Sequence, residues 1–149
     1  MSAELVRVLV LFAASSVVAM IALAFSVEDA TLPPASKRRA RRLFLEKLDA
    51  KQRWNWFLRR RFDAVSAGGR RYTISAYRPF NIHAGDAVFC VQVNGRIPVY
   101  DKLLAQKLLI EADEQLFLAQ ANIRTQAARW EPLIAAARSR YPGRRALVG

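Results

Sequence analysis

The chain predicts an α+β protein held at a membrane: an N-terminal transmembrane helix, a basic amphipathic helix, a small antiparallel β-sheet covered by one long helix, and a C-terminal helix. Three features of the sequence lead there. Val8 to Val27 is a run of twenty residues without a charge. Several short segments between Phe62 and Val93 alternate apolar and polar residues at the period of a strand. Beyond Pro98 the apolar residues recur at helical spacing, in a stretch free of glycine and proline as far as Asn122.

The first element is the anchor. A helix rises about 1.5 Å per residue, so twenty apolar residues match the roughly 30 Å hydrocarbon core of a bilayer. The competing reading is a secretory signal cleaved near Ala24, since Ala22, Leu23 and Ala24 form a small-x-small site. Against it, Glu4 beside Arg7 leaves the N-terminus barely basic, and the run exceeds the roughly 7 to 15 residues of a signal core. One basic residue, Arg7, precedes the run, and five, Lys37, Arg38, Arg39, Arg41 and Arg42, follow it closely. Basic residues accumulate on the cytoplasmic side, so the C-terminal domain is expected in the cytoplasm. Cleavage of a signal would instead give a secreted or periplasmic product. Arginine outnumbers lysine nineteen to five and alanine is abundant, a composition associated with GC-rich bacterial genomes; the membrane would then be the bacterial inner membrane.

Pro33 and Pro34 cannot continue the anchor helix, and the next element starts afresh. With Ser36 as its cap and no glycine or proline as far as Phe62, a single helix is expected there. Leu43, Phe44, Leu48, Trp54, Leu58 and Phe62 share one broad face, interrupted by Lys47 and Lys51. Lys37 to Arg71 holds thirteen positive and three negative residues of a chain whose net charge is +12. Each cation beside an anionic leaflet gains about 1 kcal/mol. Lys37, Arg38, Arg39, Arg41 and Arg42, joined by Arg59, Arg60 and Arg61, are therefore candidates for contact with lipid headgroups or other phosphates. Trp54 and Trp56 suit the headgroup zone. The alternative is that the basic residues serve topology and solubility while the aromatic residues pack on the folded module.

Phe62 to Val65 and Tyr72 to Tyr77 then read as strands, with Ala67, Gly68 and Gly69 as the turn between them. Val88 to Val93 is a further strand, and Asn94-Gly95 a strong turn signal. Pro98 confines Ile97 to Tyr100 to a sheet edge or a helix start. The long helix runs from Pro98 or Asp101 to Asn122, with a stripe of Leu104, Leu108, Ala112 and Gln115 joined by Leu103, Leu109, Leu116 and Ala119. A last helix covers Trp130 to Arg140, around Pro132, and stops at Pro142 and Gly143. The expected division is an anchor over 1–30, a polybasic juxtamembrane helix over 31–60, a small α+β module over 61–122, and a C-terminal helix and tail over 123–149.

Arg61 to Asn122 also resembles a short module found in bacterial and phage proteins. The resemblance rests on the Tyr72-x-Ile74 strand, Asn81 and Ile82, the Phe89-Cys90 strand, the Pro98-x-x-Asp101 entry, and the LLAQKLLIEADEQLFLAQAN helix at 103–122. It implies a compact unit and no activity.

Candidate chemistry is sparse. Gln106, Lys107, Glu111 and Glu114 form the possible interaction face, with Lys107 in helical reach of Glu111 and Glu114. Glu111, Asp113 and Glu114 lack a fourth ligand, so neither a metal nor another cofactor is expected. Cys90 is the sole cysteine, which excludes an intramolecular disulfide. With His83, the sole histidine, it is the one thiol-and-base pair for a hydrolase or transferase. Gly68 and Gly69 lack the spacing and lysine of a phosphate loop. Arg59, Arg60, Arg61, Arg70 and Arg71, interleaved with Trp54, Trp56 and Tyr72, offer nucleic acid a binding surface. The leading expectation is a single-pass membrane tether or adaptor, not an enzyme, whose partners are the bilayer, its anionic headgroups and an unidentified protein. A membrane-associated nucleic-acid binder is the alternative.

Overall fold

A computed structural model describes residues 32–76, 80–91, 97–124 and 128–142. The expected anchor and the Asn94-Gly95 turn lie outside these residues. The elements are α1 (Pro34–Lys47), α2 (Ala50–Arg59), β1 (Arg61–Val65), β2 (Arg71–Ser75), β3 (Ile82–Ala84), β4 (Ala87–Cys90), α3 (Val99–Ala112), α4 (Glu114–Gln120), β5 (Asn122–Arg124), a 3-10 turn (Ala128–Trp130) and α5 (Glu131–Arg140). The class is α+β, and one antiparallel sheet carries the strands in the order β1-β2-β3-β4-β5.

The single basic helix expected over residues 36–62 is two helices. Proline stands at the start of α1, where its missing N–H costs nothing, and Pro33, not Ser36, precedes it as the cap. Leu48 turns extended after α1. Asp49 then opens α2 by a reciprocal cap: its carboxylate accepts from the Gln52 amide at 2.7 Å, and Gln52 Oε1 accepts from the Asp49 amide at 3.1 Å. Arg60 closes α2 in the left-handed region at φ 52°. Its N–H donates to the Trp56 carbonyl and its carbonyl accepts from Ala76, so the helix passes directly into the ladder. Phe62, read both as the end of the helical face and as the start of a strand, is a strand residue.

Alternation sorts the sheet into two faces. Phe62, Ala64, Tyr72, Ile74, Ile82, Ala84, Ala87 and Phe89 are buried on the inner one. Arg61, Asp63, Val65, Arg71, Thr73, His83, Val88 and Cys90 occupy the outer one. The β1–β2 hairpin stands where the sequence predicts it, with Gly69 at φ 77° supplying the left-handed turn residue. His83 lies in β3, because the reversal falls two residues later at Gly85, φ 62°.

The long helix is also interrupted. Asp113 leaves helical geometry (φ −150°, ψ 85°), and its carboxylate accepts from the Leu116 amide at 2.9 Å and the Tyr141 hydroxyl at 2.6 Å. The sheet is therefore covered by two helices, not one, and their buried faces are set independently. Leu103, Leu104 and Ile110 of α3 and Phe117, Leu118 and Ala119 of α4 are buried, whereas Leu108 is exposed. Ala121 ends α4 and the chain extends into β5, a three-residue strand too short to show a period in sequence.

One core joins all the layers. Phe44 of α1 meets Trp56 of α2 at 4.9 Å between centroids, and Phe62 of β1 and Tyr100 of α3 at 5.5 Å each. Phe89 meets Trp130 at 5.1 Å and Phe117 at 5.4 Å. Such rings each contribute about 1.5–3 kcal/mol through burial. Among the described residues, no helix is long and apolar enough to cross a membrane.

Candidate functional site

Helix α2 is apolar on two opposite sides. Gln52 and Trp56 face the core, while Trp54, Phe57 and Leu58, at the i, i+3, i+4 spacing of one helical face, stand 63, 74 and 55% exposed. Leu43 of α1 is also exposed. Trp56, expected in the headgroup zone, is instead buried, because Phe44 and Phe62 hold its ring. Phe57 was not singled out by sequence; the signal is an apolar triplet on the side of α2 away from Trp56.

Arg38, Arg39, Arg41, Arg42, Arg59, Arg60 and Arg61 are exposed and Lys37 is half-buried. A concavity of about 500 Å³ lies between α1 and α2, lined by Arg38, Arg41, Arg42, Leu45, Glu46 and Arg53. Arg42 donates to Glu46 at 2.9 Å, and Arg53 to the Leu48 carbonyl at 3.1 Å. The cations Lys37, Arg38, Arg39, Arg41 and Arg42 thus share helix α1, next to the apolar triplet's helix.

The four residues expected to form an interaction face make contacts within the fold. Gln106 is buried and exchanges amide hydrogen bonds with Asn81, at 2.7 and 3.2 Å. Lys107 is buried and pairs with Glu111 at 2.6 Å, the i, i+4 contact anticipated. Glu114 does not meet Lys107. The break at Asp113 places it against the hairpin, where it accepts from Arg70 Nη1 at 2.6 Å and from the Tyr72 hydroxyl at 2.5 Å. That triad spans 44 residues of sequence, and no local spacing announces it.

The phosphate-binding cluster expected around the hairpin is divided. Arg61 pairs with Ser75 and Arg71 with Val65, at opposite ends of five-residue strands, about 14 Å apart at the strand rise. Of its three aromatic residues Trp54 is exposed, whereas Trp56 and Tyr72 are buried. His83 pairs with Val88, which sets Cys90 diagonally across the ladder, at about 7–8 Å for such neighbours. Burial pushes the Cys90 thiol up, the opposite of what a nucleophile requires. Among the described residues no group of three His, Cys, Asp or Glu is placed to hold a metal ion.

No protein-family model, curated protein or solved structure matches the chain.

Proposed function

We propose that this protein is a membrane tether whose folded module rests on the anionic leaflet through α2 and presents its remaining surface to a protein partner. The outward triplet of Trp54, Phe57 and Leu58 is the observation that carries this reading. A contiguous apolar patch on a soluble face marks a protein or membrane contact, and its surroundings favour lipid. Arginines flank it on α1 and at the end of α2, and tryptophan prefers the headgroup layer. The uncharged run ends at Val27 and α1 begins at Pro34, so the intervening residues reach about 20 Å at most. An anchored run of that kind would keep α1 and α2 beside the bilayer. Trp54, Trp56 and Trp130 are the three tryptophans of the chain.

The full chain reconstituted in vesicles with brominated acyl chains tests the proposal. Quenching of tryptophan emission is expected with anionic lipid, reduced by salt, and lost in Trp54→Phe. Equal quenching in wild type and variant would show that the triplet stays in water or meets protein. The side of the membrane is a separate question: a reporter active only in the cytoplasm, fused after Gly149, is expected to give signal.

A further inference from the structure

The β1–β2 and β3–β4 turns lie at one end of the sheet, the end remote from the α2–β1 junction. A cavity of about 330 Å³ opens there. Its ionisable lining is three arginines, Arg70, Arg71 and Arg129; Trp130, Leu133 and Ala84 make it apolar elsewhere. Arg70 is held by Glu114, which Tyr72 fixes in turn, and Arg129 is held by Asp86. Neither Glu114 nor Asp86 lines the cavity. Two guanidinium groups are thus oriented by carboxylates outside the space they face, and each keeps further N–H donors.

Both guanidinium groups also approach one indole. Arg70 lies 5.6 Å and Arg129 5.9 Å from the Trp130 ring centroid. Each is already paired with one carboxylate, and a guanidinium has more N–H donors than that pairing uses. Gly85 makes the arrangement sterically possible: a Cβ there would fall 2.5 Å from the terminal nitrogen of Arg129. Trp130 is buried, and among the described residues its Nε1 is the buried side-chain polar atom left without a partner.

We infer that this cavity binds a phosphate monoester carried on a compact apolar or aromatic body. The guanidinium groups of Arg70 and Arg129, both beside Trp130, match a phosphate oxyanion, which arginine forks engage bidentately, while the Arg71 guanidinium lies 3.9 Å from Asp63. Trp130 and Leu133 offer the apolar surface for the body of the ligand, and the volume suits a small molecule. A phosphate monoester occurs in solution or as a lipid headgroup; resting on the reading that α2 meets the bilayer, this cavity's separation from the α2–β1 junction commits it to the soluble source.

The test is calorimetric titration of phenyl phosphate into the full chain in neutral detergent micelles, with phosphatidic acid in mixed micelles as a second arm. Saturable binding of phenyl phosphate is expected, weakened about tenfold or more in Arg129→Gln, as for a lost charge-assisted hydrogen bond. Arg71→Gln, whose guanidinium is turned toward Asp63, and Arg138→Gln on α5, each with the same charge change, are expected to leave it intact. Equal losses in all three variants, or no saturation, overturn the inference by reducing it to general attraction by a basic chain. Arg129-dependent binding of phosphatidic acid alone overturns the soluble source. A shift of the Trp130 indole N–H resonance on saturation supports the site in variants and wild type that share one melting temperature.

Discussion

Tyr72 and Glu114 join the hairpin to the start of α4, and a buried hydroxyl depends on a single carboxylate oxygen for its partner. Glu114→Ala leaves that hydroxyl and Arg70 unsatisfied, and is expected to destabilise by about 2–3 kcal/mol in urea unfolding, more than Tyr72→Phe at about 1 kcal/mol. Burial, reinforced by Glu114, pushes the Tyr72 phenol up. A group raised in the folded state stabilises fully below its unfolded value, about 10 for tyrosine, and loses that contribution as pH rises through the folded one. Stability should therefore fall above about pH 10, and Tyr72→Phe should flatten that limb in an alkaline melting series. Asp113 behaves oppositely: hydrogen bonds from Tyr141 and the Leu116 amide hold it below the usual carboxylate range. Its contribution is present above about pH 4 and lost on acidification, so Asp113→Asn should make the acid limb shallower.

At the scale of elements, two breaks decide the helical layer, and both are made by aspartate caps. Asp49→Ala is expected to cost about 1 kcal/mol, read from the denaturant midpoint, with loss of amide protection in the first turn of α2. Lys107 and Glu111 give a sharper contrast. Glu111→Ala strands a buried ammonium and should cost about 3 kcal/mol, whereas Lys107→Met, of similar length, should be neutral or stabilising. Elements with strong local signals were legible in the sequence: the β1–β2 hairpin from its glycine turn, α5 from Pro132 and Pro142, and the start of α3 from Pro98. The breaks at Asp49 and Asp113 were not, since helix-forming residues run on past each and only the side-chain cap stops them. β3 and β5, three residues each, carry too few alternations to read. The candidate surface was half legible. Trp54 and the arginines stood out by type, but which of Trp54 and Trp56 faces out depended on Phe44, and Arg70 met Glu114 only through tertiary packing.

Across the whole molecule, the segment expected to form one helix between anchor and module is two helices whose Phe44, Leu48 and Trp56 belong to the module's own core. Phe44 and Trp56 pack on Phe62, so Trp56→Ala should cost about 3–5 kcal/mol. A fragment beginning at Arg61 should fail to show a cooperative thermal transition, whereas one beginning at Leu32 should retain it. Replacing Trp54, Phe57 and Leu58 together by serine should leave the melting temperature nearly unchanged, because surface changes usually stay within about 0.5 kcal/mol each. A large loss there would mean that the outward face of α2 is covered in the folded chain. These comparisons separate the residues that build the module from those that face its surroundings.

Gln52 has a further effect. While completing the α2 cap, its Nε2 also donates to the backbone carbonyl of Asp63 at 2.7 Å. β1 is a border strand of the sheet, and open borders recruit strands from other molecules. One amide thus occupies an acceptor that a foreign strand would otherwise use, and β5 at the far border is only three residues long. Both borders of the sheet are thus blunted, which disfavours edge-to-edge pairing between copies of the chain.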